Sequence, residues 1–311
     1  MHAMIFPGQG SQAVGMGQEL YRQSATARAV FDTVDEALGE KLTQLMFEGP
    51  IETLTLTENA QPAIMAVSIA LLHLLKEKTG QSLTDLASYV AGHSLGEYSA
   101  LCAAGSISLF DTAKLLRLRG QAMQKSCPAG EGAMAAVLGL DMDSVSGIAA
   151  DAMKSSPGEI CATANDNAPG QIVISGHKRA VEKAMALASE HGARKAILLP
   201  VSAPFHCALM QPAADAMQEA LAATDLSPPA IPLVSNVTAD VVNDPEQIRS
   251  LLVEQVTGQV RWRESIAFMV SQGVDNFIEV GHGKVLATMI RRIAREAGIA
   301  NINNAEAIDS F

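Results

Sequence analysis

The sequence predicts an α/β protein in two parts: a large α/β-hydrolase-like subdomain and, inserted into it, a small ferredoxin-like subdomain. Three observations predict this. Short apolar runs that read as buried strands alternate with longer helical stretches along the 311 residues. Gly92-His93-Ser94-Leu95-Gly96 sets a serine between glycines where such a run meets a helix, the strand–turn–helix setting of a nucleophile elbow. Residues 125–199 follow the order β-α-β-β-α-β, a unit complete in itself. The division is therefore 1–124 and 200–311 for the large subdomain and 125–199 for the small one, with a cleft between them where a ligand can bind.

Residues 3–6 form the first predicted strand, broken by Pro7-Gly8-Gln9-Gly10-Ser11-Gln12, whose glycines allow a tight turn and close approach of backbone amides to a ligand. The strongest apolar run, 63–75, reads as a buried helix with Pro62 in its first turn and Gly80 as its stop, and is too short for the roughly 20 residues of a membrane span. Residues 86–91 read as a strand and 94–104 as the helix packed on it. In the small unit the strands fall at 133–138, 159–164, 171–175 and 193–199 and the helices at 141–153 and 177–190, with Asn165 to Gly170 as a connecting loop. From Pro200 the chain returns to the large body, where 231–235 and 276–280 are further buried strands.

Composition narrows the function. With 48% hydrophobic and 18% charged residues the chain can close a core and is not disordered. A net charge of -11 argues against nucleic acid or an anionic membrane as the main partner, because both need a basic face. Cys102, Cys127, Cys161 and Cys207 are scattered without a C-x-x-C pair, so neither a disulfide framework nor a zinc site is expected, and a reducing compartment, the cytoplasm, is. The N-terminus shows no basic region followed by an apolar stretch of export-signal length.

The chemistry begins at Ser94. A serine hydroxyl on a strained turn projects from the sheet edge, and the amide of Leu95, at a helix N-terminus, can donate to a tetrahedral oxyanion. Such a serine needs a general base. Of seven histidines, His2, His73, His177 and His191 have positional explanations: the terminus, the buried-helix pattern, a helix start and a helix stop. His93, His206 and His282 remain. His206 follows a predicted strand in a loop, where catalytic groups are common, whereas His93 is adjacent to Ser94 with its side chain directed away. Arg119, in a helix rich in leucine, either faces solvent or faces inward to grip a carboxylate by two parallel hydrogen bonds.

Six segments in order resemble the malonyl-CoA:acyl carrier protein transacylases of bacterial fatty acid synthesis: Phe6 to Gln12, Gly92 to Tyr98, Arg117-Leu118-Arg119-Gly120, Asn167 to Gln171, Phe205-His206-Cys207 and Glu279 to Leu286. The likeness runs from residue 3 to about residue 293. It implies Ser94 as the acylated nucleophile, His206 as its base, the backbone amides of Gln9 and Leu95 as the oxyanion hole, and Arg119 as partner of the malonyl carboxylate. It further implies that Met123 and Met134 line the acyl pocket and that Phe205 crowds a 2-methyl branch. The backbone carbonyl of Arg261, before Trp262, would orient the histidine in place of a triad carboxylate. His282 stands where relatives commonly have proline.

The reaction so implied is transfer of malonyl from coenzyme A to the phosphopantetheine thiol of an acyl carrier protein. It needs no metal or cofactor beyond the thioester substrate, and a chain of this size is compatible with a monomer. An acidic carrier would need a basic patch; Lys284, Arg291, Arg292 and Arg295 are candidates, against the alternative of cations favourably placed near a helix C-terminus. Alternatives are a malonyl transferase serving malonate decarboxylation or a polyketide carrier, a serine esterase, which would have little use for a carboxylate-gripping arginine, and a non-catalytic binding protein, which would have no use for Ser94 and His206 together.

Overall fold

A computed structural model describes residues 1–128 and 130–311. In chain order the strands among them are β1 (His2–Phe6), β2 (Tyr89–Gly92), β3 (Gly132–Leu138), β4 (Cys161–Ala168), β5 (Gln171–His177), β6 (Lys195–Leu198), β7 (Leu233–Val234), β8 (Val241–Val242), β9 (Asn276–Val280) and β10 (Gly298–Ile302). They form two sheets, of order β10-β9-β1-β2-β7-β8 and β4-β5-β3-β6. The first is parallel except for β8, which pairs antiparallel with β7 at its edge. The second is antiparallel throughout, in the ferredoxin-like order. The protein is thus an α/β-hydrolase-like body carrying a ferredoxin-like insertion.

Residue alternation explains why each sheet is covered on both faces. Along β1, Met4 and Phe6 enter one core, with Val90, Ile278 and the helix Thr57–Thr79. Ala3 and Ile5 enter another, with Ala91, Phe277 and Trp262. Period-2 alternation on a strand that is apolar at both phases is what a parallel sheet between two helical layers requires. In the small sheet Ala135, Val137, Ile172 and Ile174 pack under the helices Met142–Lys154 and Lys178–Glu190. Their neighbours Met134 and Val173 point the other way, into the large body's core.

Several boundaries differ from expectation for physical reasons. The buried helix starts at Thr57, so Pro62 lies inside it rather than in its first turn, and Gly80 ends it in a left-handed conformation (φ 69°) as expected. His73 on that helix is exposed, not buried. Strand β2 starts three residues later than predicted because Leu83–Leu86 closes a short helix capped by Ser82. Strand β4 runs on to Ala168, so the expected six-residue loop contracts to Pro169-Gly170. Its extension has a cause: Asn165 bridges Val260 of the large body. Val260 N–H donates to Ala164 O, and Asp166 N–H to Val260 O, each at 2.9 Å.

Beside that bridge Asp166, 2% exposed, accepts from Arg263 Nε at 2.9 and 3.0 Å and from its terminal nitrogen at 2.7 Å. This ion pair is a charged tie between the two sheets' subdomains. Replacing Arg263 by alanine leaves a buried carboxylate without its partner, and a loss of about 1–3 kcal/mol is expected in a denaturant titration. An unchanged midpoint would mean that solvent reaches Asp166 and the pair contributes nothing.

Candidate active site

Strand β2 ends at Gly92 and the helix Leu95–Ala103 begins after only two intervening residues, so the chain reverses within His93-Ser94. Ser94 takes φ 54°, ψ −111°, a conformation that costs about 1–3 kcal/mol and persists only where its surroundings hold it. The flanking glycines are steric necessities. A Cβ on Gly92 would lie 1.9 Å from Gly96 O, and one on Gly96 2.2 Å from Phe6 O. Asn236 completes the elbow: its Oδ1 accepts from Ser94 N–H at 2.8 Å and its Nδ2 donates to Gly92 O at 2.7 Å. Since β7 stops at Val234, this side chain takes over where the backbone ladder ends.

Ser94 Oγ lies 2.8 Å from Nε2 of His206, a buried residue that itself has φ 57°. The opposite ring nitrogen, Nδ1, faces Gln255 O at 2.8 Å and Gly258 O at 3.2 Å. Carbonyls only accept, so Nδ1 carries the proton and Nε2 is left to accept from the serine hydroxyl. The expectation that Arg261 O orients the histidine is therefore corrected. Arg261 precedes the helix Trp262–Ser271, and its carbonyl is taken by the N–H and Oγ of Ser265, each at 2.9 Å. Gln255 instead sits in the last turn of the helix Pro245–Thr257, where carbonyls lack intrahelical donors.

Arg119 faces inward from the helix Leu109–Lys125 and is 1% exposed. One terminal nitrogen donates to Gln61 Oε1 at 2.8 Å; the other donates to Gln255 Oε1 at 2.8 Å and to Ser94 Oγ at 3.2 Å. Gln61 belongs to the helix Thr57–Thr79 and also donates to Met123 Sδ at 3.8 Å. Below the elbow lies Glu97, also 1% exposed, which accepts from Gln255 Nε2 at 2.6 Å and Asn236 N–H at 3.3 Å.

Burial governs the ionisation of these groups. It holds His206 down to about 3, helped by the neighbouring Arg119 cation, so the imidazole is neutral at physiological pH. It raises Glu97 to about 7 against the opposing hydrogen bonds of Gln255 and Asn236. It also lowers Arg119, while Tyr98 and Glu97 act the other way.

A cavity of about 540 Å³ opens over Ser94. Gln9, Leu95, Arg119 and His206 reach it, and Met123, Met134 and Phe205 supply apolar wall. Leu95 occupies the first position of its helix, where its N–H has no intrahelical acceptor. His93 turns aside, as expected, to Asn167 Oδ1 at 2.8 Å, and packs edge-on against Trp262. Arg292, a candidate for a basic docking patch, is engaged with Gln171 Oε1 and Pro169 O at 2.5 and 2.7 Å, fastening the β4–β5 turn. Among the described residues no group of three or more His, Cys, Asp or Glu is arranged to hold a metal ion, and no helix is long and apolar enough to cross a membrane.

Sequence reasoning missed Gln61, Glu97, Asn236 and Gln255. Gln61 and Glu97 carried a signal, a polar side chain within a strongly apolar segment and an acid one turn past the nucleophile; Asn236 and Gln255 carried none.

The chain belongs to the acyl transferase domain family, whose sequence model matches residues 3–310. It is 46% identical over 307 residues to the malonyl CoA-acyl carrier protein transacylase of Bacillus subtilis (strain 168), covering 99% of this chain and 95% of that protein. The crystal structure of an acyl-carrier-protein-S-malonyltransferase from Bartonella henselae superposes with a TM-score of 0.96 at 52% identity, covering 99% of this chain and 97% of that one. A malonyl-transacylase solved in complex with its type II PKS acyl-carrier protein gives 0.94 at 39% identity, covering 99% and 98%.

Proposed function

We propose that this chain transfers a malonyl group from malonyl-CoA to the phosphopantetheine thiol of an acyl carrier protein, supplying fatty acid biosynthesis. The observation that carries the reading is the convergence of a buried guanidinium and a neutral histidine on one strained serine hydroxyl, at 3.2 and 2.8 Å. The arginine suits an acyl group that ends in a carboxylate; the histidine suits acyl transfer. Relatives named as malonyl transacylases over nearly the full length support the substrate and the carrier. The body carrying the elbow is read as 1–124 and 200–311 and the insertion as 125–199, supported by the separate origins of the two sheets' strands.

In the first half-reaction Ser94 gives its proton to His206 Nε2 as Oγ attacks the thioester carbonyl. The amides of Gln9 and Leu95 hold the oxyanion, and the carbonyl re-forms as the C–S bond breaks. Coenzyme A leaves as the thiol, taking the proton from His206. In the second half the carrier's thiol gives its proton to His206 and its sulfur attacks the ester; Ser94 then leaves and recovers the proton. Gln255 O fixes the ring throughout and, being neutral, adds no charge that would hold the imidazolium. Met123, Met134 and Phe205 shape the acyl pocket, with Phe205 beside the base placed against a 2-methyl branch. This sequence of steps uses only the chain's own residues, the thioester and the carrier's thiol. The free cysteines suit a reducing cytoplasm.

The test is brief exposure to malonyl-CoA, acid quench and peptide mapping by mass spectrometry. A malonate ester on the Ser94 peptide, discharged by carrier protein, is the expected result. An adduct elsewhere, or discharge to water as fast as to carrier, would favour another activity such as an esterase.

A further inference from the structure

The two peptide groups of the strained nucleophile are each held by a side-chain amide, and both residues also donate to one carboxylate, Gln255 through that amide and Asn236 through its backbone N–H. Ser94 N–H donates to Asn236 Oδ1 at 2.8 Å, and Ser94 O accepts from Gln255 Nε2 at 2.9 Å. Glu97 Oε1 accepts from Asn236 N–H at 3.3 Å and Glu97 Oε2 from Gln255 Nε2 at 2.6 Å. The far atom of the same amide, Gln255 Oε1, accepts from Arg119 at 2.8 Å. All four side chains are buried or nearly so: Asn236 and Gln255 are 0% exposed, Glu97 and Arg119 1%.

We propose that Glu97 is a positioning residue for acyl selectivity, fixing the orientation of the Gln255 amide so that its oxygen, not its nitrogen, is presented to Arg119. The argument is one of donors and acceptors. Arginine can only donate, and the Glu97 carboxylate in its ionised form, which prevails above about 7, can only accept, so in that form an amide bridging the two has a single satisfactory orientation. The same orientation serves Ser94 O, which also needs a donor. Remove the acceptor-only character of Glu97 and the amide has a reason to turn. The inference rests on the malonyl-transfer reading above, because only a carboxylate-bearing acyl group needs Arg119 held in place.

Glu97→Gln is the informative change because it keeps the shape. Its carboxamide oxygen must serve Asn236 N–H, a backbone donor that cannot turn, which leaves its NH2 facing Gln255 Nε2. Two donors then face each other in a buried site, so the Gln255 amide loses its anchor on that side and is free to shift or turn. Rotation sets Nε2 against the Arg119 guanidinium, donor against donor, and Oε1 against Ser94 O, acceptor against acceptor. Arg119 loses its support on the side nearest the serine. His206 is less affected, since its partner is the Gln255 backbone carbonyl, which does not turn.

The experiment measures rates of Ser94 acylation from malonyl-CoA and from acetyl-CoA for the wild type, Glu97→Gln and Gln255→Met. The methionine variant removes the bridge while keeping the backbone carbonyl, and circular dichroism melting confirms folding of each. The ratio of malonyl to acetyl loading is expected to fall about tenfold or more in both variants, because selectivity depends on Arg119 and not on the serine–histidine pair. A proportional loss of both rates in either folded variant would make the network merely structural and overturn the inference. A wild type that takes up no malonyl would overturn the functional reading, and this inference with it.

Discussion

His206→Ala is expected to slow Ser94 acylation by malonyl-CoA about a thousandfold while leaving the KM nearly unchanged. The change removes the acceptor 2.8 Å from the serine hydroxyl but none of the groups set to hold a malonyl carboxylate. Rapid-quench measurement of the acyl-enzyme separates the two effects. A parallel rise in KM would show that the imidazole also binds substrate. The pH profile carries a second expectation. A histidine at its ordinary value would lose about thirtyfold in neutral form between high pH and pH 5. His206, held down to about 3 by burial and then by Arg119, stays neutral through that range, so its protonation should not limit acylation there. An inflection near neutrality then belongs to Glu97, raised to about 7 by burial, and should disappear in Glu97→Gln.

The depression of His206 has a functional side. A cation beside the base weakens it in the empty site, and a carboxylate arriving on Arg119 offsets that cation. The base is therefore strongest when the acyl group that belongs in the site is present. An acetyl group, which brings no charge, leaves the base as it was. A contribution at the proton transfer is then expected beside the one in binding, and both run through Arg119.

How far the sequence could anticipate this depended on whether a role lives in a side chain or in the backbone. Ser94 and its glycines were legible because a Cβ at Gly92 or Gly96 has no room, which restricts the residue types allowed. Strands β1, β3, β5 and β9 were legible from their apolar runs. Strand β8, two residues long, offers no run at all, and β10 opens on a glycine and includes Asn301. The histidine's partner was misplaced for a deeper reason: every residue has a carbonyl, so nothing in residue type marks the one that acts. What selects Gln255 over Arg261 is position at the end of a helix rather than at the start of one. Asn236 was invisible for a similar reason, since its task is to extend a sheet past its last backbone pair. The buried helix was predicted late because Pro62 was read as a first-turn signal, yet its actual place in the interior of Thr57–Thr79 also puts Gln61 opposite Arg119.

Arg119→Ala is expected to reduce malonyl loading by about a hundredfold to a thousandfold. Two parallel charge-assisted hydrogen bonds to a buried carboxylate, at about 1.5–2 kcal/mol each, set that scale. Its effect on acetyl loading is expected to be much smaller. With no carboxylate in the site the guanidinium still has partners, because Gln61 Oε1 and Gln255 Oε1 both accept from it at 2.8 Å. The wild type therefore favours malonyl through what the carboxylate adds and imposes only a modest penalty on acyl groups that lack it. Acylation rates for both thioesters distinguish these cases. A large gain in acetyl loading would mean that the two glutamines satisfy the cation poorly and that rejection, not attraction, sets selectivity. The variant should also relieve His206 of its neighbouring cation, so its acidic limb should move upward toward the ordinary histidine value. Loss of malonyl loading with no movement of that limb would separate the two roles assigned to Arg119, leaving carboxylate binding and removing its hold on the base.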